Sequence, residues 1–96
     1  MSKKEIAKMK RRVRTLQKQL GEIGPVMRGS VVLIGTRNKQ YYFSLNKDKK
    51  THLIYLGKKR EETARQYSEN HKKLLHIVEE MTIINMKLLK ENACLK

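Results

Sequence analysis

The chain opens with an apolar residue repeated at spacings of three and four. Ile6, Met9, Val13, Leu16 and Leu20 form the line, and Lys and Arg fill most of the other faces. That is the seam of an amphipathic helix. Ser2 stands at the N-cap position, with Glu5 three residues on as its capping-box partner. Gly21 and Gly24-Pro25 predict the stop. The period then changes to two. Residues 40–46 alternate Tyr41, Phe43 and Leu45 with Tyr42, Ser44 and Asn46. Residues 52–57 alternate His52, Ile54 and Leu56 with Leu53 and Tyr55. Such alternation marks strands with one buried face, and the set containing Phe43 faces the core in this reading. Lys47-Asp48-Lys49-Lys50 predicts a hairpin turn of about four residues. The β-branched run Ser30–Ile34, ending at Gly35-Thr36-Arg37-Asn38, adds a strand and a second turn. Together they predict a three-stranded antiparallel meander.

Helical spacing returns after Lys58. Ala64, Tyr67, His71, Leu74, Val78, Met81, Asn85, Leu88, Asn92 and Leu95 follow one another three and four apart, with no Gly or Pro between them. Leu75, Ile77, Ile84 and Leu89 widen the stripe, which predicts more than one packing partner. The predicted fold class is α+β, one domain over residues 1–96. A basic helix covers 2–21, a three-stranded sheet 26–57, and a long coiled-coil-like helix 59–94. The helices are expected to pair antiparallel as a stalk carrying the sheet. At about 28 Å the first cannot cover about 50 Å of the second. Leu74, Val78, Met81, Asn85 and Leu88 are therefore expected to form a homodimer seam, with Asn85 fixing its register.

Charge sharpens the picture. The 96 residues carry a net +14. Residues 1–22 hold eight basic and two acidic side chains, residues 23–60 nine and one, and residues 61–96 six of each. All the excess lies in the first helix and the sheet, where like charges repel unless an anion offsets them. The candidate site follows. Arg28, Arg37, Lys39, Lys47, Lys49, Lys50, Lys58, Lys59 and Arg60 sit on strands, turns or the sheet-to-helix junction, able to displace counterions from a phosphate backbone. Tyr42 and Tyr55, if they face outward, supply rings for bases or hydroxyls for phosphates.

Other chemistry is thin. Ser30, His52 and His71 have no context pairing a nucleophile with a base, so no enzyme is expected. His71 and His76 are five apart on a helix and diverge, so no metal or other cofactor is expected. Glu61-Glu62 and Glu79-Glu80 are adjacent pairs pointing different ways. The single Cys94 cannot form an intramolecular disulfide. With no signal-peptide pattern, it predicts a reducing, cytoplasmic location, nucleoid-associated if the partner is DNA. No apolar run approaches a membrane span, so no membrane partner is expected.

GPVMRGS at 24–30, followed by YYFSLNKDKKTHLIYLGKKREETARQYSENHKKLLHIVEEMTIINMKLL at 41–89, resembles a small uncharacterised family of bacterial and archaeal proteins associated with mobile elements. The resemblance implies a short helix, an aromatic strand pair and a long closing helix, with a transposase or recombinase as partner. Many members place a cysteine cluster between the two segments. This chain has Ile34-Gly35-Thr36-Arg37-Asn38 there, so no metal role is implied. The hairpin-then-helix part is also similar to the three-stranded DNA-binding domains of phage integrases, whose sheet enters the major groove. The leading expectation is a non-enzymatic nucleic-acid-binding protein, DNA before RNA, acting through a basic β-sheet as an accessory to a mobile element. The alternatives are a coiled-coil adaptor docking on an acidic protein such as a recombinase, and an RNA- or ribosome-associated protein.

Overall fold

The computed structural model describes residues 1–93. The chain is α+β, in the order α1 (Lys3–Glu22), β1 (Ser30–Ile34), β2 (Gln40–Lys47), β3 (Lys50–Tyr55) and α2 (Gly57–Lys90). It divides into two compact units. One joins Met1–Ile23 to the chain from Lys73 onward, and the other is Gly24–Lys72.

In the first unit α1 starts as its sequence predicts. The Ser2 hydroxyl accepts from the Glu5 N–H at 3.2 Å, and the Ser2 carbonyl from the Ile6 N–H at 3.1 Å. Val13 and Leu16 are buried, and Ile6, Met9 and Leu20 half-buried. The stop differs from expectation, because neither Gly21 nor Gly24 adopts a left-handed conformation. The helix runs to Glu22 and Ile23 turns out extended, its N–H still reaching the Leu20 carbonyl at 3.4 Å. Pro25 blocks continuation, having no N–H and disfavouring helical backbone at the residue before it.

α1 runs antiparallel to the distal part of α2. Arg12 donates twice to Glu80, Nε to Oε2 at 2.5 Å and Nη2 to Oε1 at 2.9 Å. The Met1 ammonium lies 3.8 Å from the Glu91 carboxylate. The inward line on α2 is Leu74, Ile77, Met81, Ile84 and Leu88, with Ile77 and Leu88 buried and the rest half-buried. This corrects the seam expected from the sequence. Leu88, at 0% exposed, and Met81 are covered within the chain, whereas Val78 is 47% exposed and Asn85 is exposed off the line. The stripe is wide enough for two lines, one through Val78 and Asn85 and one through Ile77 and Ile84. The second wins because it buries isoleucines instead of an amide that would need a partner.

α2 also stops before the predicted residue 94. Asn92 has φ 52°, the Ala93 N–H reaches the Leu88 carbonyl at 2.9 Å, and the Asn92 N–H reaches that of Leu89 at 3.1 Å. This pair of bonds is a Schellman cap, with Asn in the left-handed position it tolerates. Leu95 and Cys94 lie outside the described residues.

In the second unit the chain from Gly24 to Gly29 is a strap laid along α2. Asn70 Nδ2 donates to the Pro25 carbonyl at 2.8 Å, the Met27 N–H to the Tyr67 carbonyl at 3.2 Å, and Ser68 Oγ to the Gly29 carbonyl at 2.9 Å. These bonds explain why polar Ser68 and Asn70 are each only 7% exposed. The strap leads into an antiparallel sheet of order β1-β2-β3, registered with Val31 opposite Phe43 and Phe43 opposite Ile54. Phe43, Leu56 and Ala64 form the core, with Met27, Val31, Tyr41 and Leu45 packed against it. The Phe43 face is thus the core face, the one chosen in the sequence reading, although alternation alone does not say which of the two faces is buried.

β3 departs from its pattern. All six of its residues are exposed, Ile54 by 55%, and only Leu56, one residue past its end, is buried. A helix roughly 10 Å across covers about two strands spaced about 4.8 Å apart. The third strand is left as an uncovered edge. The β2–β3 turn is also shorter than predicted. Lys47 pairs with Lys50, leaving only Asp48 (φ 54°) and Lys49 (φ 61°), the type I′ geometry that suits strand twist.

Candidate nucleic-acid interface

Residues directly opposite on paired strands point to the same side of a sheet, and neighbours along a strand point to opposite sides. With Phe43 facing the core, the outer face carries three cross-strand rows. Val32, Tyr42 and Tyr55 form one, Ser30, Ser44 and Leu53 the second, and Ile34 with Gln40 the third. Asn46 and Thr51 complete it. None of these side chains is charged. Tyr42 and Tyr55 both lie on this outer face and pair directly, their ring centroids 5.6 Å apart and edge to face. The Tyr55 hydroxyl donates to Gln40 Oε1 at 3.3 Å, and the Thr51 hydroxyl to Asn46 Oδ1 at 2.9 Å. Leu53 is 50% and Tyr55 49% exposed, so this face is open to a partner.

The cations do not lie on this face, and they do not form one patch. The register splits them between the two ends of β2. Arg37 and Lys39, in the β1–β2 connection, share an end with Lys58, Lys59 and Arg60, which follow β3. Lys47, Lys49 and Lys50 stand at the other end, joined by Arg28 beside the start of β1. The eight residues of β2 separate the ends by roughly 24 Å. Two of the nine are engaged with backbone. Arg28 Nη1 donates to the Asn46 carbonyl at 2.9 Å. Arg60 donates through Nε to the Leu56 carbonyl at 3.1 Å and through Nη2 to that of Tyr55 at 2.6 Å. Arg60 thereby ties the end of β3 to the first turn of α2. None of the nine forms an ion pair among the described residues, where the four pairs use Met1, Arg12, Arg65 and Lys72.

Residues that sequence reasoning passed over hold this site in place. Asn70 and Ser68 pin the strap, and Asn70 Oδ1 also accepts from Gln66 Nε2 at 2.9 Å. Arg65 lies 5.5 Å from the Tyr41 ring centroid, with its Nε bonded to Glu61 Oε1. That bond, more than the nearby charge, raises the Arg65 pKa above its ordinary value. The only signal for Asn70 was a polar residue in helical step with Ala64 and Tyr67. Among the described residues no three His, Cys, Asp or Glu side chains gather as a metal site requires. No helix there is long and apolar enough to cross a membrane.

No protein-family model, curated protein or solved structure matches the chain. The resemblance to mobile-element proteins rests on the residues quoted for it.

Proposed function

We propose that the chain is a non-enzymatic DNA-binding protein that lays the outer face of its sheet into the major groove. The observation that carries this reading is the division of labour on the sheet, a charge-free face framed by cations at both ends. Three strands measure about 10 Å between the outer two, and the major groove is about 12 Å wide. With the strands lying along the groove, the long cationic side chains at the two ends of β2 reach sideways to phosphates about 24 Å apart along it, while the face meets base edges. Gln40 and Asn46 are the side-chain types that pair with adenine, and Val32 and Leu53 suit a thymine methyl. The packing of Tyr42 against Tyr55, with one hydroxyl engaged, favours a groove over the stacking of unpaired bases. The resemblance extends the proposal to an accessory role beside a mobile-element recombinase, which would place the protein on the nucleoid.

The test is a titration with duplex DNA, duplex RNA and single-stranded DNA of one sequence at two salt concentrations. Duplex DNA should bind most tightly, and A-form RNA weakly because its major groove is too narrow for a sheet. Tightest binding to the single strand would replace groove entry by base stacking. No nucleic-acid binding at physiological salt, with capture of an acidic protein instead, would establish the adaptor reading.

A further inference from the structure

α2 beyond residue 73 is apolar on two sides, and only one is covered. The inward line runs through Ile77, Met81, Ile84 and Leu88. About 120° around the helix, a second line runs through Leu75, Val78, Thr82, Met86 and Leu89. Its apolar members are 54%, 47%, 57% and 65% exposed, in that order. We infer that this second line is the interface with another copy of the chain, antiparallel and centred on Thr82.

Three features of the line point to a second copy. First, it reads the same in both directions. Leu75 and Leu89 each lie seven residues from Thr82, and Val78 and Met86 each lie four. A two-fold interface needs that property, since residue i must meet j while j meets i. Antiparallel pairing puts Leu75 opposite the partner's Leu89 and Val78 opposite the partner's Met86. Second, the polar residue at the centre is already satisfied, for Thr82 Oγ1 donates to the Val78 carbonyl at 2.7 Å. Burying it leaves no donor without an acceptor. Third, the charge is right. Residues 73–93 contain Lys73, Lys87 and Lys90 against Glu79, Glu80 and Glu91, so this stretch is neutral in a chain of +14. Two such chains repel elsewhere and meet here without that cost, while a polyanion or an acidic protein has nothing to hold on this line.

The line spans about 21 Å of helix, so the dimer belongs among modest interfaces, with dissociation in the micromolar range. Sedimentation of the full chain should show a monomer–dimer equilibrium. Val78→Lys, at a site nearly half exposed in the monomer, should keep the helical circular dichroism. It should weaken association by about a hundredfold, because it buries an unpaired charge. The register is read by disulfide trapping in a Cys94→Ser background. A mixture of Leu75→Cys and Leu89→Cys chains should cross-link to each other, and Leu75→Cys alone should not. A monomer at every concentration, or association indifferent to Val78→Lys, overturns the interface. Self-cross-linking of Leu75→Cys overturns the antiparallel register. DNA affinity of the isolated monomer reports on the sheet separately, so failure here leaves the DNA-binding reading distinguishable.

Discussion

Gly29 is the residue at which backbone, sheet and helix meet. Its φ is +130°, and a Cβ there would lie 2.6 Å from the Ser44 carbonyl oxygen and 2.8 Å from the Phe43 ring. Gly29→Ala therefore demands both a rare backbone conformation and a shift of the central strand. It should cost about 1–3 kcal/mol, read from the denaturant midpoint. Asn70→Ala acts on the same strap. It leaves the Pro25 carbonyl and the Gln66 amide without their partner in a site only 7% exposed, and should also cost about 1–3 kcal/mol. Lys49 is the opposite case. It holds φ 61° with a full side chain, so Lys49→Gly should raise stability by about 1 kcal/mol. The same change removes one cation from the proposed interface, so it should weaken DNA binding while stabilising the fold. A loss of stability on Lys49→Gly would contradict the turn geometry.

Most of the elements were legible because they carry a clean period, and β1 was read from its β-branched run Ser30–Ile34. Ile6 to Leu20 repeat at three and four, Tyr41 to Asn46 alternate, and the structure forms α1 and β2 over those residues. Periodicity could not choose between two neighbouring apolar lines on α2, and the choice turned on burying Ile77 and Ile84 in place of Val78 and Asn85. The cover over a strand was likewise not readable. Ile54 alternates as a core residue should and shares the face of Phe43, yet lies beyond the width of the helix that covers that face. Met81→Lys, on the inward line, should destabilise the helix pair, whereas Val78→Lys should spare it. Thermal unfolding of the two variants separates the lines. The Arg12–Glu80 pair adds a pH dependence to the same unit. Hydrogen bonds from Arg12 hold the Glu80 carboxyl below the usual range; partial desolvation opposes them, and the charges of Arg12 and His76 add smaller lowering effects. A depressed folded-state pKa gives stability that is present above the ordinary carboxylate value and lost as pH falls through the lowered one. Glu80→Gln should flatten that acid limb of the stability curve, and an unchanged limb would show that the pair contributes nothing.

For the whole molecule the decisive feature is where its charge lies. The sequence showed that the excess belongs to residues 1–60, but not that the strand register parts the sheet cations into two groups about 24 Å apart with an uncharged face between them. That separation depends on which turn falls at which end of β2, a matter of topology. It also sets the most direct test of DNA binding through the sheet. Neutralising Lys47, Lys49 and Lys50 together removes most of one cationic end while leaving the core intact. The measurement is duplex DNA affinity across a series of salt concentrations, for this variant and for one neutralised at Lys72 and Lys73 on α2. If each turn lysine meets one phosphate, the log–log salt slope should shrink by about 0.9 per residue, with little change for the Lys72 and Lys73 variant. Equal losses from the two variants would mean attraction to net charge alone, and the sheet would no longer stand as the binding surface.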